Sequence, residues 1–132
     1  MKILFLLNIG FDTQGASVHL LEAVIEKALT KGYQVHTIQK NTTGKQLDVP
    51  TALMGYDSYS YDAIKVNEVR KQSFVKRYLV DIKYALSCIK YYKRHKDADV
   101  VFLQSCNTAA LQIILVKYFL KKPIVYNVQD IF

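Results

Sequence analysis

The fold is decided by residues 3–39, ILFLLNIGFDTQGASVHLLEAVIEKALTKGYQVHTIQ. The apolar run at 3–8 has the length and composition of a strand that is covered on both faces. Residues 16–31 carry apolar side chains at helical spacing, and Gly32 follows them in the position of a helix stop. Residues 33–39 then alternate like a strand. Together these segments predict a β-α-β unit with short connections.

The same alternation continues through the rest of the chain. After a polar, turn-rich stretch, the sequence predicts a short edge strand at 58–64, a long helix at about 67–95, a strand at 99–104, an apolar helix at 107–120 and a strand at 123–128. Apolar inner strands that alternate with helices predict an α/β fold: a three-layer, Rossmann-like open parallel sheet in the order 3-2-1-4-5. At 132 residues, the chain is predicted to be one domain, 1–132.

Composition and charge narrow the class of protein. Apolar residues make up 51% of the chain, which argues against disorder, and the formal net charge of +7 favours anionic partners. Cys88 and Cys106 lack the spacing of a metal site or a redox pair and are expected to be reduced thiols of a cytoplasmic protein. No secretory signal and no membrane-spanning segment are predicted.

The loop GFDTQGAS, residues 10–17, lies where many α/β proteins bind a phosphate. Gly10 and Gly15 are five residues apart and strand 2 ends without an acid, so the dinucleotide pattern G-x-G-x-x-G is absent. Ala16 replaces the lysine that a nucleoside-triphosphate loop requires. Two readings stay open. The loop and the helix N-terminus bind an anion or a sugar hydroxyl, or Gly15 and Ser17 only shape and cap the turn.

Ligands of such sheets bind at the carboxyl ends of the strands, where the strand order reverses between strands 1 and 4. Four segments are expected to converge there: residues 10–17, the end of strand 2, residues 104–107 and residues 129–130.

Three stretches carry a resemblance to a known family: GASVHLLEAVIEKALTKGYQVHTI (15–38), DVVFLQS (99–105) and KKPIVYNVQDIF (121–132). They resemble the N-terminal domain of family 4 glycosyltransferases of the GT-B fold. The last stretch is similar to the N-acetyl-fucosamine transferase type that builds bacterial surface polysaccharides. The resemblance implies an incomplete GT-B fold, inactive alone, whose partner is a missing C-terminal donor domain. The full enzyme would transfer a sugar with retention from a nucleotide-sugar to a lipid-linked or saccharide acceptor, without a cofactor or metal ion.

The resemblance also implies roles for individual residues. Gln104 stands where many relatives have an active-site histidine, and Gln129-Asp130 matches a frequent His-Asp pair. Asp130 would orient or deprotonate an acceptor hydroxyl, or else cap a following helix. The donor-phosphate loop would comprise Gly10, Gln14, Gly15, Ala16 and Ser17, the catalytic pair Gln104 and Asp130, and the acceptor side Ser105, Asn107 and Gln129. His19 is expected to have a structural role.

The segment 65–96 contains many more cations than acids. An apolar stripe is expected to face the sheet, and it comprises Val75, Tyr78, Leu79, Ile82, Ala85, Leu86 and Ile89. The predicted membrane-facing stripe beside it comprises Arg70, Lys76, Arg77, Lys83, Tyr84, Lys90, Tyr91 and Arg94. On a GT-B acceptor domain this pattern indicates contact with the anionic cytoplasmic leaflet that holds a polyprenyl-phosphate-linked acceptor. A solvated face is the main alternative. Nucleic acid is less favoured, because no recognition motif accompanies the charge.

A second function of a different class stays open: a non-catalytic binding or anchoring subunit that completes a separately encoded catalytic partner. A reading frame that continues beyond Phe132 into a donor domain favours the enzyme, whereas a stop codon beside a gene for the donor half favours the subunit. In either case strand 5 is expected to be an exposed edge that allows self-association. The expected location is cytoplasmic, with peripheral attachment to the inner face of the cell membrane.

Overall fold

The computed structural model describes residues 1–7, 16–41, 51–66, 74–104 and 108–127. The strands are β1 (Lys2–Leu6), β2 (Gln34–Asn41), β3 (Tyr59–Lys65), β4 (Val100–Gln104) and β5 (Ile124–Asn127). They pair in parallel in the order β3-β2-β1-β4-β5, which confirms the predicted sheet. The order reverses between β1 and β4, and β3 and β5 are the two edges.

The helices are α1 (Ala16–Thr30), α2 (Thr51–Met54), α3 (Phe74–Ser87), α4 (Ile89–Arg94) and α5 (Ala109–Phe119). Sequence reasoning missed α2, a single turn inside the polar connection between β2 and β3. The single helix predicted at about 67–95 is wrong in its described part, because α3 and α4 are separated at Cys88. Residues 67–73 lie outside the described ranges.

Gly32 ends α1 as predicted. Its φ of +87° is a backbone conformation that glycine adopts without a steric penalty. The Gly32 N–H donates to the Leu29 carbonyl and the Tyr33 N–H donates to the Ala28 carbonyl. This pair of bonds is the Schellman arrangement, which satisfies carbonyl groups at the end of the helix and turns the chain toward β2.

Apolar side chains of the sheet form a core on each face, as alternation along the strands requires. On one face Phe5, Leu7 and Val35 pack with α1 and α2 residues such as Leu21 and Leu53. On the other face the sheet packs against α3, α4 and α5, through Leu4, Leu6, Ile38, Val101, Leu103, Tyr84, Cys88, Tyr92 and Val116. The two cores place helices on both sides of the sheet and complete the three predicted layers.

The predicted orientation of α3 is wrong for most of its apolar stripe. Ala85 is buried as predicted and Ile82 and Ile89 are half-buried, but the other four members of the stripe are exposed. These four are Val75, Tyr78, Leu79 and Leu86. The buried side of α3 and α4 consists of Tyr84, Ala85, Cys88, Tyr91 and Tyr92. These positions recur every three or four residues, so they also form a helical stripe. Tyrosines fill the core where aliphatic residues were expected.

Candidate functional site

The candidate site lies at the carboxyl edge of the sheet, beside the reversal between β1 and β4. Leu6 of β1 is in register with Leu103 of β4, and Gln104 is in register with Asn127 of β5. Because the strands are parallel, β1, β4 and β5 all end at this edge. The segments with most of the predicted site residues follow these three strands in the sequence.

Gln104 is the predicted catalytic residue that the described ranges include. It is the last residue of β4, and only 4% of its surface is exposed. Ala16 begins α1 and Ser17 lies in the first turn of that helix. The other predicted residues of the loop and acceptor side lie outside the described residues, so their convergence with Gln104 stays a prediction: Gly10, Gln14, Gly15, Ser105, Asn107, Gln129 and Asp130.

Two further polar residues at this edge were missed by sequence reasoning. Thr108 immediately precedes α5 and Gln112 lies one helical turn further on, and both side chains are buried. The signal that could have identified Gln112 is its position as a polar residue inside the apolar stretch AALQIILVKYFL.

A buried ion pair lies beneath the edge between β1 and β2. The Lys40 ammonium is 2.7 Å from Oδ1 of Asp81 on α3, and both side chains are largely buried. The same ammonium is 5.0 Å from the centre of the Tyr84 ring, a cation–π distance. The Tyr84 hydroxyl donates to the Leu7 carbonyl at 2.6 Å, just beyond the end of β1. These contacts fix α3 to the ends of β1 and β2.

The predicted membrane-facing stripe is wrong for its two tyrosines. Tyr84 and Tyr91 are only 2% and 9% exposed. The cationic groups of Lys90 and Arg94 lie over the Tyr91 ring, at 5.0 and 5.6 Å from its centre. The described cations of the stripe are exposed, and they are Lys76, Arg77, Lys83, Lys90 and Arg94. Arg70 lies outside the described residues.

The first part of α3 presents a different apolar surface, which we call the α3 surface. Every residue from 74 to 79 is exposed, including 67% of Phe74, 65% of Val75 and 55% of Leu79. The Phe74 and Tyr78 rings stack at 6.3 Å. Lys76 and Arg77 lie between these apolar residues. The α3 surface therefore combines large apolar side chains with cations, as an interfacial helix does.

A cavity of about 460 Å³ opens between the end of β3 and α3. Its lining combines apolar residues with two lysines, and comprises Ile64, Lys65, Val66, Val80, Lys83, Tyr84 and Ser87. The cavity therefore suits a ligand that has both an anionic group and an apolar part.

A second cluster of polar side chains lies on the α3–α5 face, toward the amino ends of the strands. Nε2 of His36 on β2 is 2.8 Å from Oδ2 of Asp62 on β3, and Nε2 of His95, which follows α4, is 3.7 Å from the same oxygen. The two imidazole rings stack with centroids 3.9 Å apart. Nδ1 of His36 lies 2.7 Å from the Ser60 hydroxyl, and the Lys2 ammonium lies 3.1 Å from Nδ1 of His95.

Burial is the main influence on the protonation of the two histidines in this cluster. Burial, together with the neighbouring His95, lowers the pKa of His36 to about 4, although the Asp62 carboxylate opposes the change. Burial and the Lys2 ammonium also lower the pKa of His95. Both effects disfavour the charged imidazolium. The two rings are therefore neutral near pH 7.

Comparison with solved structures shows the fold class. The chain is similar to the C-terminal domain (residues 78–226) of a hydrogenase from Pyrococcus furiosus, with 13% identity and a TM-score of 0.66 over 96% of this chain and 90% of that one. A second structure of that domain (residues 83–215) gives 15% identity and a TM-score of 0.61 over the same shares. Identities this low show a shared α/β fold alone. No protein-family model and no curated protein matches the sequence.

Proposed function

We propose that this chain is the acceptor-side lobe of a retaining, nucleotide-sugar-dependent glycosyltransferase of the GT-B type, in the synthesis of a cell-surface polysaccharide. The observation that supports this proposal most is the buried amide of Gln104 at the carboxyl end of β4, beside the point where the strand order reverses between β1 and β4. Ligands of open α/β sheets bind at this position. The sequence resemblance in residues 15–38, 99–105 and 121–132 supports sugar transfer among the many activities that the fold accommodates.

The polar groups of the edge match the needs of a sugar acceptor. An amide offers both a donor and acceptors, so Gln104 can bind one hydroxyl of the incoming sugar. In this proposal Asp130 orients or deprotonates the attacking hydroxyl, and the helix α1 N-terminus faces the donor phosphates. A second lobe supplies the nucleotide-sugar, and no step requires a cofactor.

The acceptor proposed for this lobe is attached to a polyprenyl phosphate, and the α3 surface supports that choice. Phe74, Val75 and Leu79 would enter the headgroup region of the membrane, while Lys76 and Arg77 would attract anionic lipids. Lys65 and Lys83 line the adjoining cavity, and in this proposal they would neutralise the phosphate of the acceptor. No helix of the described ranges has the length and apolarity to cross a bilayer. The proposed mode of contact, which the exposed apolar residues and cations of the α3 surface support, is attachment at the inner surface of the cell membrane.

A second candidate function is that of a non-catalytic subunit that completes a separate catalytic chain. The observation that favours it is the edge strand β5, where Val125 is 51% exposed and the Tyr126 side chain is also exposed. Such an edge can accept another strand or another chain. Of the two candidates, only the enzyme requires Asp130 for activity.

Ligand binding to the isolated chain tests the proposed sugar site. Saturation-transfer NMR with mono- and disaccharides that contain N-acetylhexosamines should detect binding, and Gln104→Ala should weaken it by about tenfold, equivalent to about 1.4 kcal/mol, because one buried hydrogen-bonding group is lost. Gln34→Ala is the matched control, because Gln34 is an exposed glutamine at the start of β2, on the opposite edge.

Two results would count against the sugar site. One is the absence of saccharide binding to a folded chain. The other is an equal loss of binding in Gln104→Ala and Gln34→Ala, since that pattern would place the ligand elsewhere. Activity of the complete two-lobed enzyme that survives Asp130→Asn would favour the non-catalytic candidate.

A further inference from the structure

The cluster of His36, Asp62 and His95 unites side chains from three separate elements. Their ligand atoms all lie within 4.8 Å of one another, and His36 is buried while the other two are half-buried. By alternation along the strands, His36 lies on the sheet face opposite to Gln104 and nearer the amino ends. The cluster is therefore distinct from the proposed sugar site, and the inference drawn from it is independent of that proposal.

We propose that His36, Asp62 and His95 bind one divalent transition-metal ion, with Zn²⁺ as the ion of best fit. Two imidazole nitrogens and one carboxylate oxygen are ligands that Zn²⁺ prefers. Tetrahedral Zn²⁺ with bonds of about 2.0–2.2 Å places its ligand atoms about 3.3 Å apart. The observed separations of 2.8 and 3.7 Å from Asp62 to the two imidazoles bracket that value. The two imidazole nitrogens lie within 4.8 Å of each other, but their rings are stacked. The rings would therefore have to rotate out of the stack for both nitrogens to reach one ion.

The surroundings of His36 support a ligand role. In the metal-free chain, Nε2 of the neutral His36 ring donates to Asp62 at 2.8 Å and Nδ1 accepts from the Ser60 hydroxyl at 2.7 Å. A metal at Nε2 requires the ring proton to move to Nδ1, which then donates to the Ser60 hydroxyl. Such an outer hydrogen bond fixes the tautomer and the ring orientation of many metal-binding histidines. Asp62 retains 32% exposure of its side chain at the β3 edge. Solvent access on that side leaves room for the ion to enter and for water as a fourth ligand.

Lys2 opposes metal binding in a way that can be measured. Its ammonium donates to Nδ1 of His95 at 3.1 Å, which places the proton of that neutral ring on Nε2. A metal at Nε2 requires the proton to move to Nδ1, so Lys2 must release the ring. Asp97 already binds the same ammonium at 2.8 Å and can retain it. Removal of the Lys2 ammonium should therefore strengthen metal binding.

The test is a calorimetric titration of the chelator-treated chain with Zn²⁺ alone, under reducing conditions near pH 7.5. We expect one ion per chain. Asp62→Asn and His95→Gln should each weaken binding by at least about tenfold, because each removes one of only three ligands. His19→Gln is the matched control, because His19 is exposed on α1. Cys106→Ser controls for capture of zinc by a thiol.

The Lys2→Met variant gives a second test, because its affinity for Zn²⁺ should rise severalfold. A purely structural role of His36, Asp62 and His95 would not produce that rise. Substitution of Co²⁺ for Zn²⁺ should give the visible absorption of a tetrahedral site, and His95→Gln should remove that absorption. Wild-type chain that binds no Zn²⁺ would overturn the proposal. So would binding that survives in folded His95→Gln and Asp62→Asn, or binding that weakens in Lys2→Met.

Discussion

The α3 surface gives a quantitative prediction for membrane binding. Each cation near an anionic bilayer contributes about 1 kcal/mol. Lys76→Gln with Arg77→Gln should therefore weaken binding to vesicles that contain phosphatidylglycerol by about 2 kcal/mol, or about 30-fold. Lys27→Gln with Lys31→Gln is the matched control, because both lysines are exposed at the end of α1 and the net charge changes equally.

The apolar side chains of the α3 surface should make a separate contribution to the free energy of membrane binding. Full burial of a Phe or Leu side chain contributes about 1.5–3 kcal/mol. Because 67% of Phe74 and 55% of Leu79 are exposed and available for burial, Phe74→Ser with Leu79→Ser should weaken vesicle binding by about 3 kcal/mol, or about 150-fold.

Vesicle co-sedimentation at two salt concentrations measures both effects, since added salt should weaken only the contribution of the cations. Equal binding to neutral and anionic vesicles would refute the electrostatic part of this reasoning. An equal loss in the control with altered Lys27 and Lys31 would show that net charge, and not the α3 surface, governs binding. Circular dichroism checks that each variant is folded.

Three further predictions concern the scaffold. Asp81→Ala should lower the free energy of unfolding by about 3 kcal/mol in urea titrations, because it leaves the buried Lys40 ammonium without its carboxylate. Lys40→Met with Asp81→Leu should recover most of that loss. An equal loss in the double variant would contradict the role given to the unpaired charge. With a chelator present, the free energy of unfolding should be at its full value above pH 6.5 and fall by about 2–3 kcal/mol toward pH 4, because the unfolded chain protonates His36 first while the pKa of His36 in the folded chain is about 4. His36→Gln should reduce this pH dependence and His19→Gln should not. Identical pH profiles for the two variants would contradict the assignment of the dependence to His36. Val125→Lys should reduce self-association through the β5 edge in light scattering, whereas Ile114→Lys on the exposed side of α5 should not, and a wild-type chain that is monomeric at high concentration would refute that association.

The fold could be predicted because the signals that specify it are local. The apolar run of β1, the helical spacing of α1 and the Gly32 stop together define the first β-α-β unit, and parallel strands with right-handed crossovers leave few arrangements of the others. The orientation of α3 could not be predicted, because Val75 and Leu79 are as apolar as core residues. Only tertiary packing shows that Tyr84 and Tyr91 occupy the core instead.

The candidate sites differ in how many of their residues could be predicted from the sequence. The position of Gln104 at the carboxyl end of β4 could be predicted, because topology fixes where a buried strand beside the sheet reversal ends. Lys40 and Asp81 could not be paired, because they are distant in sequence and lysine is ordinarily exposed. His36, Asp62 and His95 are also far apart and show no ligand spacing, so their association depends on the register of β2 and β3 and on the position where α4 ends.

The central claim is that the carboxyl edge beside Gln104 binds the acceptor sugar, and the location of a bound saccharide tests it most directly. Two-dimensional amide spectra recorded during a titration with an N-acetylhexosamine disaccharide should show the largest shifts at Leu7, Gln104 and Thr108. Amides at the opposite edge, such as Gln34 and Asp99, should not move. Shifts confined to that opposite edge, or spread evenly over the surface, would contradict the claim.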